Sequence, residues 1–230
     1  MNESLKDKPL RILALADLHD HAEMLDPLKT IDCDLIAFCG DLHNGSSRRA
    51  AVPVAVALAD LGRPVLIVPG NMDHKDVVPD LWRDFGFIML HRSVFLRGDY
   101  GFIGMGGIIA RNPARLGDPT RYYNHDDDVY SALTDACRKI SEKRFKIVLT
   151  HQPPRETRDR LYNGEYSGSV GLRRFVEERQ PDLLLCGHIH EDRGEARIGK
   201  TRIINVGELR RGFGALIELA DGIKVDWIEA

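Results

Sequence analysis

Five short apolar runs each stop at residues able to bind a cation, and this pattern constrains the fold of the chain more than any other feature. Leu10–Leu15 leads into Asp17-Leu-His19, Asp34–Cys39 ends at Gly40-Asp41, and Pro64–Pro69 ends at Gly70-Asn71. Further on, Phe145–Thr150 ends at His151 and Leu183–Cys186 at Gly187-His-Ile-His190. Apolar runs of this length with little alternation fit strands covered on both faces. Between the second and third lies an Ala/Val-rich helical stretch, Ala50 to Leu61, closed by Gly62, with Pro53 expected in its first turn. The chain up to Asn71 therefore reads β-α-β-α-β. In open α/β sheets the carboxyl ends of the strands converge on a crevice where ligands collect. If extended geometry continues through Leu18, Asp17 and His19 fall on one side of the chain.

The remaining elements follow from local signals. Glu23 to Thr30 reads as a helix of a turn or two limited by Pro27, and Val77 to Phe85 as another short helix. Ile88 to Gly107, rich in glycine, predicts short hairpin strands. Asp126 to Lys143 predicts the clearest helix: three aspartates open it, Lys and Arg close it, and Val129, Leu133, Cys137 and Ile140 share a face. Gln152 to Gly168 is a long polar loop, the kind that carries function or moves. Ser169 can N-cap a helix to about Arg179, stopped by Pro181. Ala196–Ile198 and Thr201–Val206 flank Gly199-Lys200, and Phe213–Leu219 and Ile223–Ile228 flank Asp221-Gly222, so the tail is antiparallel.

Composition sets bounds on this outline. With 230 residues, 43% of them apolar, the chain has enough material for a full core, and with no repeat or linker we expect a single domain over 1–230. Charged residues make up 29% with a net of −3, and the arginine pairs at 48–49, 173–174 and 210–211 are scattered, which argues against nucleic acid as a partner. Cys33, Cys39, Cys137 and Cys186 have no CxxC spacing and sit in apolar contexts, as reduced buried thiols do. No run reaches membrane-spanning length and the N-terminus has no apolar leader, so a cytoplasmic, soluble protein is expected. The sequence leaves the oligomeric state open.

Taken singly, each strand-end residue has an ordinary reading. Gly-Asp and Gly-Asn are common turn pairs, His151 before Gln-Pro-Pro could be a satisfied loop histidine, and short His-x-His stretches arise by chance. Their joint occurrence at every major strand end is what those readings fail to explain. Carboxylate, amide and imidazole donors without thiolate suit Mn, Fe, Ni or Zn in an open site, whereas a structural zinc site usually calls on cysteines. Asp17, His19, Asp41, Asn71, His151, His188 and His190 are too many for one ion and suit two, which at roughly 3.5–4 Å apart clamp both oxygens of a phosphoryl displacement.

Asp17-x-His19, Gly40-Asp41, Gly70-Asn71-x-Asp73, His151 and Gly187-His188-x-His190, in this order, resemble the calcineurin-like metallophosphoesterase family, and most closely its small phosphodiesterase-like members. The resemblance covers about Leu10 to Gly207. It implies a four-layer αββα sandwich of two mixed sheets flanked by helices. It also implies two divalent metal ions, manganese first and iron, nickel or zinc next, and a small phosphodiester or phosphomonoester as substrate. One metal would be held by Asp17, His19 and His190, and the other by Asn71, His151 and His188. Asp41 would bridge them, and a hydroxide between the ions would be the nucleophile. Many members have a histidine after Gly-Asn that protonates the leaving group. Here that position is Met72, which leaves Asp73 and His74 as the acid candidates, with bound water or a good leaving group as the other routes. His21 and His43 read first as exposed loop histidines, with a contact to substrate or behind a metal ligand as the alternative. Asn205-Val-Gly207-Glu208 replaces the usual Asn-Pro-Gly-Ser, which puts a phosphate contact from that loop in doubt. The competing readings are a non-catalytic interaction scaffold, which should have lost ligands, and a nuclease of the same superfamily, which would add a DNA-capping domain and a dimerisation surface, whereas this sequence shows no basic stripe.

Overall fold

The computed structural model describes residues 9–44 and 47–229. Met1–Lys8, on which most of the N-terminal reading rests, lie outside them. The strands are β1 (Leu10–Leu15), β2 (Leu35–Phe38), β3 (Val65–Ile67), β4 (Ile88–Met89), β5 (Ser93–Arg97), β6 (Tyr100–Met105) and β7 (Ile108–Ile109). The second half adds β8 (Tyr123–Asn124), β9 (Phe145–Thr150), β10 (Leu183–Cys186), β11 (Gly194–Ile198), β12 (Thr201–Asn205), β13 (Phe213–Leu219) and β14 (Ile223–Glu229). The α-helices are α1 (Arg48–Ala59), α2 (Val78–Asp84), α3 (Asp126–Arg138) and α4 (Val170–Arg179).

Two six-stranded mixed sheets result, ordered β14-β13-β1-β2-β3-β4 and β11-β12-β10-β9-β6-β5. In the first, β1 to β4 are parallel and β13-β14 adds an antiparallel edge. In the second, β12, β10, β9 and β6 are parallel, with β11 and β5 antiparallel at the two edges. Side-chain alternation divides each strand between two layers. Ile12, Ala14, Leu35, Ala37 and Leu66 face Phe102, Ile147, Leu149, Leu183, Leu185 and Ile204 between the sheets. Leu13, Leu15, Ile36, Phe38 and Ile67 face outward onto Val54, Leu58, Leu81 and Trp82 of α1 and α2. Ile103, Val148, Leu184 and Ile203 face onto Leu133, Leu172 and Phe175 of α3 and α4. The order is helices, sheet, sheet, helices: the expected four-layer αββα sandwich. Both faces of β1, β2, β3, β9 and β10 are covered, which is why those segments read as unbroken apolar runs.

Several boundaries differ from expectation. The segment after His21 is a 3-10 helix, Ala22–Thr30, around Pro27. α1 starts at Arg48, capped by Ser47, so Pro53 sits beyond its first turn. α3 stops at Arg138 rather than Lys143: Lys139 N–H already bonds Ala136 O, tightening the end so that the chain can turn into β9. Within Ile88–Gly107 only β5 and β6 form a hairpin, while β4 joins the first sheet in parallel. All four cysteines are free and buried.

Candidate metal centre

The parallel strands of both sheets end at one place, and the loops there are fastened to one another. Asp17 N–H donates to Gly40 O, Leu18 and His19 N–H to Asp41 O, Gly187 N–H to His151 O and Arg210 N–H to Asp17 O. These turns are tight. Asp17, His19, Asp41 and His188 all adopt left-handed backbone (φ 55°, 51°, 55° and 66°), which costs a non-glycine residue energy and collects at functional sites. The extended continuation expected through Leu18 is therefore absent, and the turn brings Asp17 and His19 together instead. The glycines have a separate task. A side chain on Gly70 would overlap the Asp41 carboxylate, and one on Gly187 would overlap Asp17.

The side chains meet as follows. Nε2 of His190 lies 3.3 Å from Asp17 Oδ1, and Nε2 of His19 lies 3.8 Å from the same oxygen and 4.0 Å from Asp41 Oδ2. Nε2 of His151 lies 3.4 Å from Asp41 Oδ2 and 3.0 Å from Asn71 Oδ1. Donor atoms of Asp17, His19 and His190 all fall within 4.8 Å of one another, as do those of Asp17, Asp41 and His151. Asp17 is thus common to both groups, where the resemblance gives the bridge to Asp41. Asp41 Oδ2 nevertheless stands between His19 and His151. His188 belongs to neither group; its ring packs 4.9 Å from that of His151 and its backbone N–H donates to Asp17 Oδ2 at 2.8 Å.

Three of these histidines have their other nitrogen held. His19 Nδ1 pairs with Asn44 Oδ1 at 2.8 Å, His151 Nδ1 with the Cys39 carbonyl at 2.8 Å, and His190 Nδ1 lies 3.3 Å from Glu208 Oε2. With Nδ1 occupied in this way, Nε2 is the nitrogen each ring turns toward the centre, as metal-ligating histidines require. Asp17 Oδ1 is buried without a hydrogen-bond partner, and an orphaned carboxylate oxygen is costly unless a cation meets it. The residues present therefore fit divalent metal, and the lack of thiolate fits a first-row ion in an open site.

The electrostatics agree. Burial pushes Asp41 up, but the charge and hydrogen bond of His151 outweigh it and hold the carboxyl at about 2. Burial likewise pushes His151 down, and Asp41 holds it up at about 9. Burial and the neighbouring His151 lower His188 to about 4. In the metal-free protein the His151 proton serves as counter-ion to Asp41, a place a bound metal cation would take over.

Of the two acid candidates, Asp73 is fully buried and accepts N–H bonds from Gly70 at 2.7 Å, Asp41 at 2.9 Å and His43 at 3.4 Å. It ties the turns after β2 and β3 together. His74 Nδ1 lies 3.7 Å from Asp76 Oδ2. His21 is exposed as expected. His43 is the opposite of its reading: fully buried, with Nε2 3.7 Å from Asp73 Oδ1. Glu208, treated in sequence only as a departure from Ser, is the residue that reasoning missed. It is buried, holds His190, and is itself paired with Arg210 at 2.8 Å and Arg211 at 3.4 Å. The available signal was its position, three residues beyond the end of another parallel strand, β12.

Residues 10–192 match the family model of the calcineurin-like phosphoesterases, and the chain belongs to that family. Among its relatives, the uncharacterized protein MJ1162 of Methanocaldococcus jannaschii is 27% identical over 206 residues, 86% of this chain and 88% of that protein. Among solved structures, TT1561 of Thermus thermophilus superposes with a TM-score of 0.73 at 19% identity, covering 95% of this chain and 99% of that one. A dimetal phosphatase from Danio rerio superposes with a TM-score of 0.64 at 12% identity, covering 96% and 97%. At such identities the structural likenesses show the fold alone.

Proposed function

We propose that the protein is a hydrolase of phosphoester bonds that works with two divalent metal ions, manganese first among them, on a small phosphodiester or phosphomonoester. The observation that carries this reading is the convergence of three histidine Nε2 atoms, each with Nδ1 held, on the Asp17 and Asp41 carboxylates. Asp17, His19 and His190 would hold one ion, and Asp41, Asn71, His151 and His188 the other, with a carboxylate shared. When bound, such ions supply the positive charge that draws in a phosphate and lowers the pKa of water to the neutral range.

The chain's own residues do the rest. Asn44, the Cys39 carbonyl and Glu208 hold the imidazoles in one tautomer, and Asp73 sets the turns that aim Asp41 and Asn71. Met72 has no proton to give and Asp73 is sealed from solvent, so His74 is the side chain assigned to protonating a poor leaving group. The test is metal analysis of the purified protein, coupled to turnover of bis(p-nitrophenyl) phosphate with Mn, Ni, Fe and Zn. Stoichiometric metal with metal-dependent turnover that Asp41→Asn abolishes is the expected result. Metal binding without turnover of any phosphoester in a broad screen would overturn the reading in favour of a binding protein.

A further inference from the structure

Beside the metal centre lies a cleft of about 430 Å³ whose lining includes His188 and none of the other proposed metal ligands. One wall is the two-stranded β7-β8 sheet, presenting Ile108, Ile109 and Tyr123; the Pro113–Gly117 3-10 helix adds Arg115, and the turn before it adds Arg111. The wall is fixed to the centre. Gln152, next to His151, accepts from Ile109 N–H at 2.8 Å and donates to the Ser167 carbonyl. Arg111 donates to Ser167 Oγ at 2.6 Å, which joins the wall to the long loop on the other side. Arg115 lies over the Tyr123 ring at 5.4 Å and donates to its hydroxyl at 2.5 Å.

The cleft carries positive charge that no neighbouring carboxylate neutralises. Arg158, Arg173, Arg174, Arg202 and Arg210 each pair with a carboxylate. Among the described residues, neither Arg111 nor Arg115 has a carboxylate within 4 Å, and both are exposed. The single acid on the lining, Glu191, accepts the Tyr162 N–H at 3.2 Å. Two guanidiniums with free donors therefore line a cleft that reaches His188 of the metal centre and whose lining includes the apolar residues Ile108, Ile109, Leu161 and Ile189. Guanidinium forks match the geometry of carboxylate and phosphate oxygens.

We propose that Arg111 and Arg115 select phosphoesters whose non-reacting part carries a second anionic group, held in this cleft while the ester phosphate lies at the metals. The inference rests on the phosphoesterase reading and adds the substrate class. Ile108, Ile109 and Tyr123 would cover the apolar spacer between the two anions, and Gln152 keeps that spacer in register with His151. Because the arginines are exposed, the preference arises from screened charge-assisted hydrogen bonds and weakens with added salt.

The test uses the metal-loaded protein and p-nitrophenyl phosphodiesters whose other alcohol ends in a methyl group, a carboxylate, a phosphonate or a trimethylammonium. The expected result is kcat/KM about tenfold higher for the anionic tails than for the methyl tail, with the cationic tail below both. Phosphonate above carboxylate points to a phosphate as the natural group, and the reverse order to a carboxylate. The anionic-to-neutral ratio falls to near one in the Arg111→Gln/Arg115→Gln double variant and is kept in Arg49→Gln, an exposed arginine on α1. Equal rates for anionic and neutral tails, or a preference that survives in the double variant, overturn the substrate class alone. Absence of turnover with every ester overturns the phosphoesterase reading and this inference with it.

Discussion

Replacing Glu208 tests whether the imidazoles of the centre are held from behind. The His190 ring sits between two carboxylates, with Nδ1 3.3 Å from Glu208 and Nε2 3.3 Å from Asp17. Burial pushes this imidazole down, but the neighbouring Asp17 and Glu208 carboxylates leave it raised. Carboxylates behind ligating histidines are typically worth about 10–100-fold in metal affinity, or about 1.4–2.7 kcal/mol. Arg210 and Arg211 already neutralise part of the Glu208 charge. Glu208→Gln, which keeps an acceptor for Nδ1–H, therefore belongs at the lower end, about tenfold. Glu208→Ala removes orientation as well and belongs near the upper end, about a hundredfold. Calorimetric titration of EDTA-stripped protein with Mn²⁺ separates the two binding events. Only the one involving His190 should weaken, while the one involving His151 stays within about twofold. Denaturant melts verify that each variant is folded. A folded Glu208→Ala protein with both affinities unchanged would refute the reasoning, because His190 would then need no partner behind it.

Three further outcomes follow from the same geometry. Because Asp41 holds His151 up at about 9, the metal-free site keeps a proton that a metal must displace. Mn²⁺ affinity should rise about tenfold per pH unit from this group between about pH 6 and 9, with proton release visible as buffer-dependent binding enthalpy; a flat profile contradicts the assignment. His74→Ala should slow hydrolysis of alkyl esters and leave p-nitrophenyl esters nearly unchanged, since nitrophenolate leaves without protonation; equal effects on both would remove His74 as the acid. Asp73→Ala leaves the N–H groups of Gly70 and Asp41 buried and unpaired, and should cost roughly 2–5 kcal/mol in urea unfolding, whereas a change below about 0.5 kcal/mol would mean those turns hold without it.

The parts of the site legible in sequence were those a single strand determines. A run such as Leu183–Cys186 announces a strand covered on both faces, and its end announces Gly187 to His190, so the convergence of Asp17, Asp41, Asn71, His151 and the His188–His190 pair followed from strand order. Glu208 was missed because its role comes from His190, in the turn after a different strand, and exists only because β10 and β12 are neighbours. His43 was misread for a similar reason. Its place in a loop after Gly40-Asp41 gave no sign of burial, but the buried Asp73 carboxylate receives its N–H and holds the turn inward. The left-handed turns at Asp17 and His19 break the two-residue period on which the extended reading relied. The end of α3 at Arg138 depended on where β9 had to begin, which helix periodicity through Ile140 does not encode.

The centre straddles the seam of the sandwich. Asp17, Asp41 and Asn71 hang from the first sheet, whereas His151, His188 and His190 hang from the second. A cation gripped by both sets acts as a rivet through the seam, adding RT ln(1 + [M]/Kd) to the cohesion of the two halves. Chelation should then loosen the molecule along that plane before any helix peels away, so metal supply would govern the lifetime of the fold as well as its chemistry.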